Sequence, residues 1–178
     1  MKLVKFLLVQ IVLLGSFLIP FNLALALDDD TYSEEALPEV EIINTQDFRL
    51  DSHLAIQKQT PILILFAMQG CAYCQYVEEE HLKPMLRNSK YGEKVIIRRV
   101  MTDDFSDLID FDGKTISNDD FSNRYGAYLT PTVVFLNHEG KQLSRIRGVR
   151  NTEFYGGDLD DSLDRSLRMI RNQLLSMK

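Results

Sequence analysis

Thr60-Pro61-Ile62-Leu63-Ile64-Leu65-Phe66-Ala67-Met68-Gln69-Gly70-Cys71-Ala72-Tyr73-Cys74 decides how this chain is read. Ile62 to Met68 is an unbroken apolar run of strand length, the pattern of a strand covered on both faces. Gln69-Gly70 ends it, and Cys71 opens a helix that carries Cys74, Val77, Leu82, Met85 and Leu86, with Pro84 predicting a break or kink near its end. Cys71 and Cys74 are the only cysteines in 178 residues. A disulfide that staples a fold closes a long loop, because stabilisation grows with loop length. Cys-X-X-Cys closes almost none, so the pair makes sense as chemistry rather than as a staple.

The competing uses of such a pair are weighed by their other ligands. Covalent haem needs His directly after the second Cys, and Gln75 stands there. Structural zinc needs four ligands. Only His53, His81 and His138 offer imidazole, and no second close pair exists. A thiol–disulfide role remains. At a helix start, free backbone N–H groups and the positive end of the helix dipole favour a thiolate, and a cysteine pKa there falls from ~8.5 to between ~3.5 and ~7.5. This makes Cys71 the expected nucleophile and Cys74 the resolving thiol.

Working outward, Lys94 to Met101 reads as a second strand. Thr130 to Leu136 is a third, entered through its proline Pro131, and His138-Glu139-Gly140 turns it into an antiparallel Leu143 to Ile146. A helix capped by Asn44 or Thr45 is expected to run to about Gln57, and a short one around Phe121 to Tyr125. Leu159, Leu163, Leu167, Ile170 and Leu174 mark a last helix with Asp158 as N-cap. Asp103 to Asp120 is polar and reads as a long loop that shapes substrate choice. The order gives an α/β protein with a mixed central sheet and helices on both faces.

Residues 1–26 have the form of a secretory signal peptide: Lys2 and Lys5, an apolar run from Phe6 to Ile19, Pro20, then Ala24-Leu25-Ala26 before the cleavage point. The alternative is an uncleaved membrane anchor, which Pro20 and Asn22 shorten below the ~20 apolar residues a span needs. Residues 27–43 are expected as an acidic N-terminal arm and 44–178 as the domain. Cleavage leaves 152 residues, one compact domain, and removes two lysines, taking the formal charge from −6 to −8. An acidic chain lacks the basic stripe that nucleic-acid binding needs.

A buried strand, a Cys71-Ala72-Tyr73-Cys74 helix start and Tyr125-Gly126 followed by Thr130-Pro131-Thr132 together resemble the thioredoxin superfamily from about residue 45 to 176. Within it the chain is similar to small exported, periplasmic bacterial thioredoxins, including those of the sulfur-oxidation type. The resemblance implies a thioredoxin-like fold, a catalytic Cys71/Cys74 pair, no cofactor and no metal. It also implies a cis Thr130–Pro131 bond, although only ~5% of X-Pro bonds are cis, and substrate binding through Thr130, Pro131 and Tyr73. Reduction or isomerisation of disulfides in exported proteins or small molecules follows, by a monomer recharged by a membrane electron donor of the DsbD/CcdA type. The alternatives are a redox-independent binding or adaptor module, a dithiol oxidase and, last, a thiol peroxidase.

Two positions depart from the cytoplasmic members. Leu65 stands where they carry a buried acid, and Gly70 where they carry an aromatic. The proton acceptor for Cys74 is then water or one of Glu78, Glu79 and Glu80, which otherwise read as a solvated helix face. His81 reads as a surface or partly buried histidine without a catalytic part.

Overall fold

The computed structural model describes residues 37–176. The expected signal peptide 1–26 and most of the arm 27–43 lie outside them. The compact unit begins at Pro38, ahead of the boundary expected at 44. Residues 38–43 are tied down by three contacts: Ile42 is buried, Ile43 C=O accepts from Arg99 N–H at 2.9 Å, and Pro38 C=O accepts from Arg87 Nε at 2.9 Å.

Helix α1 spans Phe48–Lys58 and is capped by Asp47, whose carboxylate accepts from Arg49 N–H at 2.9 Å. Asn44 and Thr45, the expected caps, do other work: Asn44 bridges Arg99 in parallel and Thr45 N–H donates to Arg99 C=O. Strand β1 is Ile62–Ala67, buried at every residue. Helix α2, Ala72–Val77, runs through a π turn at Glu78–Leu82 into α3, Lys83–Arg87. Pro84 lies in the first turn of α3, so the wider turn before it absorbs the missing N–H and the ring. A single turn α4, Ser89–Gly92, precedes β2, Ile96–Met101.

The segment expected as loop holds a hairpin, β3 Asp107–Ile109 with β4 Thr115–Ser117, and then α5, Asn118–Arg124, capped by Ser117. Three-residue strands carry too little pattern to register beside so many aspartates. β5, Thr132–Leu136, turns into β6, Gln142–Arg147, and α6 runs Tyr155–Ser176. The last helix starts ahead of Asp158, the expected cap.

The sheet order is β2-β1-β5-β6, with β2 parallel to β1 and β5 and β6 antiparallel to their neighbours. This is the mixed α/β sheet that the sequence implied. Alternate residues of β1 serve two cores. Leu63, Leu65 and Ala67 pack with Cys74, Val77 and Leu82 of the dithiol helix and with Leu159 and Leu163 of α6. Ile62, Ile64 and Phe66 pack with Phe48 of α1 and Phe121 of α5. No helix among the described residues is long and apolar enough to cross a membrane.

Candidate functional site: a disulfide at a helix start

Cys71 and Cys74 are joined in a disulfide with Cα atoms 5.2 Å apart. The backbone explains the pairing. β1 ends at Ala67, and Gly70 takes φ +71, a left-handed conformation that glycine adopts without strain and that turns the chain into α2. Cys71 is the N-cap itself, one residue outside the helix. Its Sγ accepts from Cys74 N–H at 3.1 Å, and its C=O accepts from Cys74 N–H at 3.0 Å and from Gln75 N–H at 3.1 Å. The two cysteines differ in access: Cys74 is 2% exposed, whereas Cys71 is half-buried.

Across from the dithiol helix, Thr130–Pro131 is a cis peptide. Thr132 Oγ1 donates to Leu129 C=O at 2.5 Å, and Gly148 N–H donates to Pro131 C=O at 2.8 Å, so this loop is fixed to both β5 and β6. β1 and β5 pair antiparallel with Phe66 opposite Thr132. The end of β1 that leads to Cys71 therefore lies beside the start of β5 that follows Pro131. Met68, Tyr73, Tyr128 and Leu129 are exposed on this end of the molecule, Tyr73 at 58%. Sequence reading named Tyr73. It missed Met68 and Leu129, whose only signal was their place next to the two motifs.

Leu65 is fully buried, as its strand pattern requires, and its register partner on β2 is Arg99. Cross-strand partners share a face, so Arg99 lies on the dithiol side of the sheet with Ile97 and Met101. There Arg99 Nη1 pairs with Glu78 at 2.7 Å, and Arg99 Nε donates to Asn44 Oδ1 at 2.7 Å. Of the three glutamates expected as candidates, Glu79 and Glu80 are exposed and Glu79 pairs with Lys83. Glu78, one turn beyond Cys74, points inward. Arg98-Arg99 inside an otherwise apolar strand was the visible signal, since charges on a buried strand need partners.

His81 sits in the π turn with Nε2 3.2 Å from Tyr76 Oη and its ring against Tyr155. Burial pushes its pKa below the ordinary value, with Glu80 opposing weakly. Tyr76 Oη also donates to Thr152 C=O at 3.1 Å, so this cluster pins the dithiol helix to the segment before α6.

Residues 48–155 match the model of the thioredoxin-like domain family. No curated protein matches the chain. Among solved structures it is similar to the thioredoxin of Fasciola hepatica at 17% identity, covering 70% of this chain and 99% of that one with a TM-score of 0.47. A thioredoxin-fold protein from Helicobacter pylori aligns at 18% identity over 67% of this chain and 86% of that one, TM-score 0.44. The reduced periplasmic thioredoxin SoxS of Paracoccus pantotrophus aligns at 16% identity over 59% and 97%, TM-score 0.41. The family match spans more than half of the residues and contains both cysteines and the cis-proline loop, so the chain belongs to the thioredoxin-like domain family.

Proposed function

We propose that this protein is an exported thiol–disulfide oxidoreductase that reduces or isomerises disulfides in exported proteins. The carrying observation is the unequal pair at the helix start: a half-buried Cys71 beside a buried Cys74, at the same end of the β1–β5 pair as a cis-proline loop. In the reduced protein the Cys71 thiolate attacks one sulfur of a substrate disulfide, forming a mixed disulfide, and the leaving thiolate takes a proton. Cys74 gives up its proton and attacks Cys71 Sγ, which releases the second substrate thiolate. Two electrons pass to the substrate and the Cys71–Cys74 bond is the oxidised product. The two sulfurs are held on one turn, so the second step is intramolecular.

Glu78 is the proton acceptor this reading favours for Cys74. It is on the next turn of the same helix, largely shielded from water, and 2.7 Å from Arg99 Nη1. A substrate segment pairs with the backbone of Thr130, and the exposed Tyr73 flanks it. A membrane electron donor of the DsbD/CcdA type returns the dithiol to its reduced form, because an oxidising compartment does not. The N-terminal segment directs export.

The test is the reduction potential of the pair together with insulin reduction by wild type and Cys71→Ser. A potential near thioredoxin's ~−270 mV and activity abolished by Cys71→Ser are the expected results. A potential near ~−120 mV reverses the direction of electron flow. Retained insulin reduction in Cys71→Ser removes the assignment of Cys71.

A further inference from the structure

We propose that the free edge of β6, next to the cis-proline loop, is a docking strip for an extended acidic segment of the polypeptide substrate. The inference rests on the disulfide-reducing function above, and it adds the charge of the substrate and the place where its flank lies.

β6 is the last strand of the sheet, and among the described residues no backbone pairs with its outer side. β2, at the opposite edge, is bridged by Asn44. The register of β6 identifies which groups are free. Gly148 N–H bonds to Pro131 C=O, so the Pro131 and Gly148 positions form a hydrogen-bonded pair. Such pairs alternate along an antiparallel ladder. Thr132 opposite Arg147 and Val134 opposite Arg145 are therefore the non-bonded pairs. The main-chain N–H and C=O of Arg145 and Arg147 then point outward, ready to receive another strand.

The side chains along this edge are basic in an acidic protein, whose formal charge is −6. Arg145 and Arg147 bring their guanidinium groups together over Gly126: a Cβ there would meet Arg147 Nη2 at 3.0 Å and Arg145 Nη1 at 3.1 Å. On the other side of β6, a cleft of about 260 Å³ between the strand and α6 is lined by Arg150 and Arg165 with Asp158 and Asp161. Among the described residues none of the four arginines makes a salt bridge, although six other arginine or lysine side chains do. Arg145 donates to the Tyr125 C=O at 3.1 Å, a neutral acceptor.

A strand added to β6 puts alternate side chains on the two faces of the sheet. Residues opposite Arg145 and Arg147 lie on the Gly126 side, and those between them lie toward Arg150 and Arg165. Acidic side chains on the Gly126 face thus meet two guanidinium groups, which bind carboxylates as a fork, and on the α6 face two arginines stand beside Asp158 and Asp161. Charged edges also keep sheets from pairing with copies of themselves. The same row of arginines repels a second β6 and attracts an acidic strand, so the two effects agree. The strip is continuous with the catalytic end, because Gly148 is bonded to Pro131 and a Cβ on Gly148 would meet Leu129 Cδ2 at 3.3 Å. A substrate whose disulfide is at Cys71 can lay its flank along it.

The experiment compares peptides with one internal disulfide and a six-residue flank of either alternating Glu and Ser or alternating Gln and Ser, reduced by wild type and by Arg147→Glu/Arg165→Glu. Dithiobis-nitrobenzoate serves as a small disulfide without a flank, and a cysteine-free Glu/Ser peptide is titrated while β6 amide resonances are followed. The expected result is a kcat/KM at least tenfold higher for the Glu flank in wild type at low salt. That preference shrinks as salt rises and is lost or inverted in the variant, whose rate on the small disulfide stays unchanged. The cysteine-free peptide shifts the Arg145 and Arg147 amides in wild type alone. Equal rates for the two flanks in wild type, or a Glu preference that survives in the variant, overturn the proposal. If wild type reduces neither the small disulfide nor the peptides, the oxidoreductase function fails, and the amide titration still decides the docking strip by itself. Amide shifts confined to residues outside β6 and α6 refute it.

Discussion

Reduced protein treated with iodoacetamide at pH 7 should be alkylated at Cys71 about a hundred times faster than at Cys74. Ionisation alone does not give that ratio. If a thiol at a helix start titrates near ~7 and an ordinary one near ~8.5, the thiolate fractions at pH 7 are about 50% and about 3%. The more acidic thiolate is also the weaker nucleophile, by roughly fivefold over 1.5 pH units at a Brønsted slope of about 0.45. The net advantage is only about threefold. Burial supplies the rest. Cys74 is 2% exposed, packed with Val77, Leu65 and Ala67 under the helix. A reagent reaches it only when the first turn opens. An opening cost of about 2 kcal/mol, modest for a helix end, divides its rate by about thirty. The two factors multiply to about a hundred. Peptide mass spectrometry after timed quenching reads both sites in one experiment. Rates within a factor of three of each other would mean that the shielding of Cys74 is lost on reduction, and faster labelling of Cys74 would reverse the roles of attacking and resolving thiol.

Other outcomes follow from particular contacts. Glu78→Gln should slow formation of the Cys71–Cys74 bond from the mixed disulfide at least ~10-fold near pH 7, the lower end of general-base effects, with the rate recovering at pH 9. A defect that is the same at both pH values would make Glu78 structural only. Asp51→Asn should destabilise the protein by about 3 kcal/mol in urea, or about 10 °C in Tm. Its side chain is 5% exposed and accepts from Arg98 Nε at 2.8 Å and Thr45 Oγ1 at 2.7 Å; an effect below 0.5 kcal/mol, an order-of-magnitude floor for surface sites, would contradict the pairing. His81 has a folded pKa below its unfolded ~6.5. The unfolded chain therefore binds the proton first, so stability falls as pH drops from ~6.5 through the folded value and is flat above. His81→Phe should remove that slope in unfolding curves between pH 5 and 7. Gly140→Ala should cost at least about 2 kcal/mol, since φ is +77 and its Cβ would lie 2.6 Å from Phe111 Cδ2. Gly157→Ala, with nothing within 4 Å and a helical position, should instead stabilise by about 0.5–1 kcal/mol in the same assay.

The parts legible in the sequence are those where one periodicity acts alone. Ile62 to Ala67 is apolar at every position because both faces of β1 are covered, and the last helix shows its stripe because only one face is. Cys71 and Cys74 needed no periodicity. What escaped depends on partners distant in sequence. Asn44 is a plausible helix cap on local grounds, yet Arg99 bridges it across the sheet edge. The β3–β4 hairpin is too short to signal itself among aspartates, and Arg124 with Asp110 makes it part of the fold rather than a loop. The direction in which Glu78 points is set by the π turn that begins there. A helical wheel drawn at 3.6 residues per turn loses phase at that point.

Leu65 and Glu78 meet Arg99 from two sides, one from the strand and one from the helix. β1 can hold a carboxylate beneath the dithiol only by burying it between β2 and β5, where Arg99 is its register partner and the opposite neighbour is Val133. A leucine there removes the cost of burying that charge, and its volume fills the core with Leu63 and Ala67. Arg99 would then be left unpaired, which is the expensive half of a broken ion pair. Glu78 supplies the missing charge from the helix side. On the proposed mechanism this has a consequence for timing: a carboxylate on the helix moves with Cys74, whereas one on the strand stays with the sheet. Any tilt of the helix that exposes Cys74 to the mixed disulfide carries its proton acceptor along. Proton transfer can then accompany resolution without a water having to enter the core.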